Sequence, residues 1–306
     1  MLKFIASRLL QSIPVLLLIA TATFFMVRLA PGGPFSQERQ VSPVILEKIN
    51  EHYGLNDPII VQYGNYLKNL FKLDLGPSYA YQGRSVKELI AESFPVSLEL
   101  GCYALLVALA LGIPAGIIAS LKPNTLYDYL PMSFSMLGIC LPTFVLGPLL
   151  ALTLGIGLGW FHVSGWYTLG DRVLPSLTLG LFYGAYIARL TRAGMLEILS
   201  KDFIRTARAK GVPEHKVIFK HSLKGGMLPV VNFLGPAVAG LISGSFVVET
   251  IFQIPGLGRH FVNAAFNRDY TMIMGTVLFY AILIVLFNLV VDIIQAAMNP
   301  RLRLHD

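Results

Sequence analysis

Residues 129–170 read YLPMSFSMLGICLPTFVLGPLLALTLGIGLGWFHVSGWYTLG, 42 positions without a single Asp, Glu, Lys or Arg. Bilayer hydrocarbon takes about 20 helical residues to cross, so reading this run as one span or as two decides the topology of the whole chain. One span is the better reading. The second half holds Gly155, Gly157, Gly159, His162, Ser164 and Gly165, too polar and glycine-rich for a good span. Its Trp160, Phe161, Trp166 and Tyr167 resemble an interfacial aromatic belt.

Working outward, five more stretches carry no acidic or basic residue: Leu9–Val27, Leu100–Leu121, Val173–Ala188, Gly225–Val248 and Tyr270–Val291. The chain of 306 residues is 55% hydrophobic and 13% charged, with a mean hydropathy of +0.64. It is therefore expected to be an all-α membrane protein with six transmembrane helices. The fourth run is short, so Arg189 is expected to snorkel from its end. Lys3 and Arg8 precede the first run, as in a signal peptide, but 19 apolar residues followed by Arg28, Pro31, Gly32, Gly33 and Pro34 give no cleavage pattern. That helix is expected to be retained. Cys102 and Cys140 both fall inside expected spans, which argues against a disulfide framework.

The net charge of +7 is unevenly placed. Arg189 to Lys224 holds nine basic and three acidic residues, whereas residues 30–95 hold six basic and seven acidic. Short basic loops stay in the cytoplasm. Six spans then put both termini and the basic loop inside and residues 30–95 outside, and the charge is accounted for without a nucleic-acid partner.

The outer segment shows helix punctuation and is expected to be a small helical cap. Ser42-Pro43 fits an N-cap and first helical position ahead of VILEKINEHYG, and Asp57-Pro58 repeats the device before IIVQYGNYLKNLF. A third short helix is expected over Ser85–Phe94. The pairs Gly112/Gly116, Gly180/Gly184 and Gly240/Gly244 have the GxxxG spacing that lets helices approach closely. Spans two to five should form the tight bundle, with the first and last outside it.

Inside the basic loop, Ser200 is expected to cap a helix over DFIRTARAK with Asp202 in its first turn, and Gly211 to end it in the left-handed conformation. Pro213 and Glu214 start a second helix, with Lys216, Lys220 and Lys224 on one side and Ile218, Phe219 and Leu223 on the other. On spacing alone, this amphipathic helix could lie in the lipid interface or dock on a soluble partner.

RTARAKG followed by VPEHKVIFKHSLKGGMLPVV resembles the cytoplasmic loop of permeases of binding-protein-dependent ABC importers, specifically the first permease of oligopeptide and dipeptide systems. MLKFIASRLLQSIPVLLLI, RLAPGGPF, GLNDPIIVQYGNYL, LDLGPSY and VVETIFQIPGLGRHFVNAAFNRDY extend the resemblance along the chain. It implies the type I ABC importer permease fold: a first helix within residues 1–29, an extracytoplasmic cap at 30–93, an ABC type-1 transmembrane domain at 94–296 with its coupling loop at 192–224, and a cytoplasmic tail at 297–306. It implies a multi-pass protein of the bacterial inner membrane whose partners are a second homologous permease, two ATPase subunits, an extracytoplasmic peptide-binding protein, peptides and membrane lipid. ATP and Mg would sit on the ATPases, with no cofactor on this chain. Phe203, Arg205, Thr206, Ala207, Gly211, Val212, Pro213 and Val217 would form the ATPase-coupling loop. The wider family pattern of Glu-Ala-Ala, three residues, then Gly reads Arg205, Thr206 and Ala207 before Gly211 here, so a glutamate contact does not carry over. Nickel complexes or glutathione are alternative cargoes.

Other classes are weaker. No GxxxxGK[ST] phosphate loop occurs, and GIGLG at 155–159 lacks dinucleotide-loop spacing. Six histidines form no HExxH pair, and no nucleophile, base and orienting group cluster as a membrane enzyme would require. A proton-coupled carrier would place carboxylates near mid-membrane. Glu99, Glu249 and Asp292 instead sit at span ends, where solvated or ion-paired termini are expected. With Asn232 and Asn288, Glu249 and Asp292 are the candidate residues of a substrate pathway. The remaining deep positions are small or apolar, which predicts weak selection of cargo by this chain.

Overall fold

The computed structural model describes residues 2–30, 47–48, 50–51, 53–243 and 246–298. The helix start expected at Ser42-Pro43 lies outside them. α1 (Leu2–Leu29) and α13 (Tyr270–Met298) pack on one another at the side of the bundle. Only 11% of the most apolar window of α1 is buried, against 56% in the fourth span, so the first helix does lie outside the tight bundle.

α2 (Ile59–Phe71) covers one end of α1. Phe24 is fully buried there, with its ring centroid 5.3 Å from Tyr63 and 5.5 Å from Tyr66, and the Thr21 and Tyr63 hydroxyls share a hydrogen bond of 2.7 Å. Burial raises the Tyr66 phenol to about 12. The expected cap at Asp57 is absent. Pro58, extended at ψ 139°, is the N-cap, and the Gln62 side chain donates back to the carbonyls of Leu55 and Asp57.

α3 (Val86–Leu121) opens on a capping box in which Ser85 Oγ accepts from Glu88 N and Glu88 Oε2 accepts from Ser85 N, both at 3.2 Å. A separate helix over Ser85–Phe94 does not form. One helix of 36 residues runs through Pro95 and Pro114 instead. No glycine stop lies between Phe94 and Leu100, and a lone proline removes one backbone bond without ending an otherwise helical pattern in a membrane.

The 42-residue run is a single bent unit. α4 (Leu126–Cys140) and α5 (Thr143–Leu150), the latter prolonged by a π-helical segment Ala151–Gly157, meet at 108°. Leu141 precedes Pro142 and takes extended backbone, φ −87° and ψ 114°, as the proline ring demands of its predecessor. Counted with this pair, up to six membrane crossings are available, five of them apart from it. Trp160 and Tyr167 beyond the bend are exposed, as a belt requires.

α6 (Val173–Leu199) is the centre of the bundle and packs along α3. The glycine spacing sets that approach. A Cβ on Gly112 would lie 2.6 Å from Gly184 O, and one on Gly180 2.6 Å from Val107 Cγ1. Gly240 faces the Tyr183 hydroxyl, and its partner Gly244 falls outside the described residues. α6 also overruns the expected end of the fourth span, continuing ten residues past Arg189. The intervening LTRAGMLEIL has neither proline nor a helix-ending glycine conformation to stop it. Beyond it come α7 (Asp202–Ala209), α8 (Glu214–Lys216), a π-helical turn Val217–Ser222, α9 (Leu223–Gly226), α10 (Leu228–Ser243), α11 (Phe246–Ile251) and α12 (Leu257–Phe266).

Candidate functional site

α7 and α8 meet at Gly211, whose φ of 77° is the left-handed value that the turn requires. Gly211 N donates to Arg208 O at 2.9 Å and Val212 N to Ala207 O at 3.1 Å, the paired bonds of a Schellman motif that satisfy the last carbonyls of α7. A fork-to-fork ion pair braces the elbow. Arg208 Nη2 and Nε donate to the Glu214 carboxylate at 2.6 and 3.1 Å, and the guanidinium holds that carboxyl below its usual range. The brace therefore persists above the ordinary carboxylate range and weakens only as pH falls through the lowered value.

Ser200 does not cap α7. Its backbone is still helical as the C-cap of α6, its hydroxyl donates to Glu197 O, and Lys201 with ψ 150° begins the new helix. The second helix departs from its expected faces as well. The wider π-helical turn breaks the 3.6-residue register, so Val217 and Ile218 are buried and Phe219 is 62% exposed beside Lys220. Val217 consequently lies inside this chain and not on its surface. Phe203, Arg205, Thr206, Gly211 and Pro213 are exposed, while Ala207 and Val212 are half-buried. Ile204, Val217 and Ile218 hold the elbow against the bundle and leave the Phe203 and Phe219 rings outward.

The four pathway candidates do not converge. Asn232 and Asn288 are exposed on α10 and α13, with Asn288 Oδ1 close against Gly235. Asp292 Oδ2 lies 3.3 Å from Arg8 Nε, an ion-paired end as expected. Glu99 is likewise paired, accepting from Arg172 Nε at 2.6 Å and Trp166 Nε1 at 3.1 Å. Glu249 overturns the expectation of a solvated end, being fully buried. Its Oε1 accepts from Ser97 Oγ at 2.8 Å and its Oε2 from Arg259 N at 3.1 Å, while Ser97 Oγ accepts from Leu257 N at 2.8 Å. The carboxylate thus caps α12, and the turn Pro255–Gly258 wraps it so tightly that any side chain on Gly256 would strike it. Glu249→Ala should cost about 2–4 kcal/mol, because it empties a buried acceptor and orphans the donors aimed at it. Thermal unfolding in detergent should show a clear loss, and an unchanged midpoint would remove Glu249 from the structural account.

A pair at the opposite end of the bundle, with Asp128 buried and Arg192 half-buried, was missed by sequence reasoning. Arg192 Nε and Nη2 donate to Asp128 Oδ1 and Oδ2, both at 2.6 Å, and Asn124 N donates to Oδ2 at 3.0 Å. The legible signal was positional: Asp128 and Arg192 flank the same ends of neighbouring spans, as do Glu99 and Arg172 at the other end.

Comparison with known proteins gives the following. The sequence matches the family described as binding-protein-dependent transport system inner membrane component over residues 112–304, and the N-terminal family of the same transport components over residues 1–101. It is 48% identical over 305 residues to the oligopeptide transport system permease protein OppB of Salmonella typhimurium, covering 99% of this chain and 100% of that one. It is 39% identical to the dipeptide transport system permease protein DppB of Bacillus subtilis, covering 100% and 99%. Among solved structures, the MetNI methionine ABC transporter in inward-facing conformations matches with a TM-score of 0.59 at 18% identity, covering 69% of this chain and 96% of that one, which is a likeness of fold.

Proposed function

The chain belongs to the family of binding-protein-dependent transport system inner membrane components, and from that premise we propose that its elbow at residues 202–226 is the joint through which an ATPase subunit drives the bundle. The chain is a multi-pass permease subunit of a peptide ABC importer, a transport component and not an enzyme. The single observation that supports the joint is the elbow itself: a glycine-hinged, ion-pair-braced turn with two phenylalanines held outward from a basic surface. Exposed aromatic rings on a rigid support suit insertion into a protein groove.

In this reading the chain works with a second homologous permease, two ATPases that carry ATP and Mg, and an external peptide-binding protein, and it holds no cofactor of its own. Both termini and the elbow face the cytoplasm of a bacterial inner membrane, and the 30–95 segment faces outward. Purification of the tagged chain with its co-expressed partners should retain ATPase, and the reconstituted complex should take up peptide only with ATP. In a Cys102→Ala, Cys140→Ala background, Lys48→Cys and Lys216→Cys should be labelled from opposite sides. Labelling from one side would overturn the orientation, and a complex that lacks ATPase would overturn the joint.

A further inference from the structure

Arg189 lies on an exposed face of α6, one turn before Arg192. About 15 Å of helix separates it from the end at Leu199. Arg189 is exposed, and among the described residues it has no ion pair or hydrogen bond. An arginine on a spanning helix that meets no acidic partner turns to head groups, to a water-filled path or to a ligand.

Arg189 lines an open groove of about 630 Å³ between α4 and α6. Asp128 in the same groove is already consumed by the two bonds from Arg192, so the groove keeps one uncompensated positive charge. Its other walls are Tyr129, Met132, Met136 and Tyr186. Methionine and tyrosine surfaces adapt to many shapes while holding none rigidly. A fixed cation beside adaptable walls matches a ligand with one invariant anion and variable side chains.

We infer that Arg189 receives the C-terminal carboxylate of a peptide on the cytoplasmic half of the pathway, with Met132, Met136 and the two tyrosines accommodating whatever side chains accompany it. The inference rests on the reading of this chain as a peptide permease. It keeps side-chain selection weak, since every peptide with a free C-terminus presents the same group.

The test uses the complete reconstituted transporter with its binding protein. Uptake of a tripeptide and of its C-terminal amide is measured for wild type, Arg189→Gln and Arg189→Lys, each after confirming complex assembly. Arg189→Gln should lower uptake of the free acid about tenfold relative to the amide, the discrimination of one charge-assisted hydrogen bond, and Arg189→Lys should restore part of it. Referring each variant to wild type cancels any preference of the binding protein. An equal loss for acid and amide would overturn the inference in favour of a lipid-phosphate contact, and failed assembly would overturn it in favour of a contact with the second permease. Unchanged uptake of both would overturn it too. A wild-type complex that moves no peptide would instead bring down the functional reading on which it stands.

Discussion

Gly211→Val will leave the chain in the membrane and cut its connection to ATP hydrolysis, with peptide-stimulated ATPase activity of the complex falling at least about tenfold. The left-handed conformation costs an ordinary L-residue roughly 1–2 kcal/mol, and a β-branched residue is a genuine outlier there. An added Cβ meets no atom within 4 Å, so crowding cannot cause the loss. What changes is the backbone. Relaxing φ 77° breaks the Schellman bonds and swings α7 away from α8, pulling Arg208 off Glu214 and reorienting the surface that carries Phe203. Gly211→Asn is the control, because asparagine tolerates this region and should retain most of the coupling. Full coupling in the valine variant would mean that the elbow angle carries no force.

Gly116→Leu will act on the fold itself. A Cβ at Gly116 would sit 2.5 Å from both Ala188 O and Thr191 Cβ and 3.0 Å from Arg192 N, so the obstruction is largely backbone. α3 and α6 would have to separate, and the Arg192 to Asp128 bridge next to the contact would be strained with them. Overpacking against movable side chains costs about 1–3 kcal/mol. Against a rigid helix the expected cost is at the top of that range or above, and accumulation should drop below roughly a tenth of wild type. Gly64→Leu, where an added Cβ meets nothing within 4 Å, should accumulate normally. Equal levels of the two variants would refute the close approach of α3 and α6.

Much of the architecture was legible because it is written in one-dimensional signals. Charge-free runs mark the spans, Gly112 and Gly180 mark the close helix pair, and Gly211 marks the turn. The departures share a cause: each depends on what a residue meets in three dimensions. Leu141-Pro142 is a visible bend signal, yet the 108° angle comes from how α4 and α5 pack on α6. Glu249 looks like a terminal carboxylate in sequence and becomes buried because the Pro255–Gly258 turn folds back over it. Phe219 and Val217 exchange faces because a π-helical turn has no signature in spacing. Arg189 marks the end of the fourth apolar run, whereas helical backbone bonding carries α6 ten residues onward after hydropathy ends.

The unbroken course of α3 joins the capping box at Ser85 and the crossing with α6 in one helix. At 36 residues it is about 54 Å long, well beyond the hydrocarbon, and its capping box and the Ser97 contact to Glu249 lie in its first third. Its close crossing with α6 at Gly112 and Gly116 lies toward the other end and can serve as a fulcrum. A tilt of about 10° there would sweep the capping-box end, roughly 40 Å away, through about 7 Å. A small rotation at that crossing would thereby be magnified into a broad displacement of the capping-box end, and the two ends of α3 would move in step.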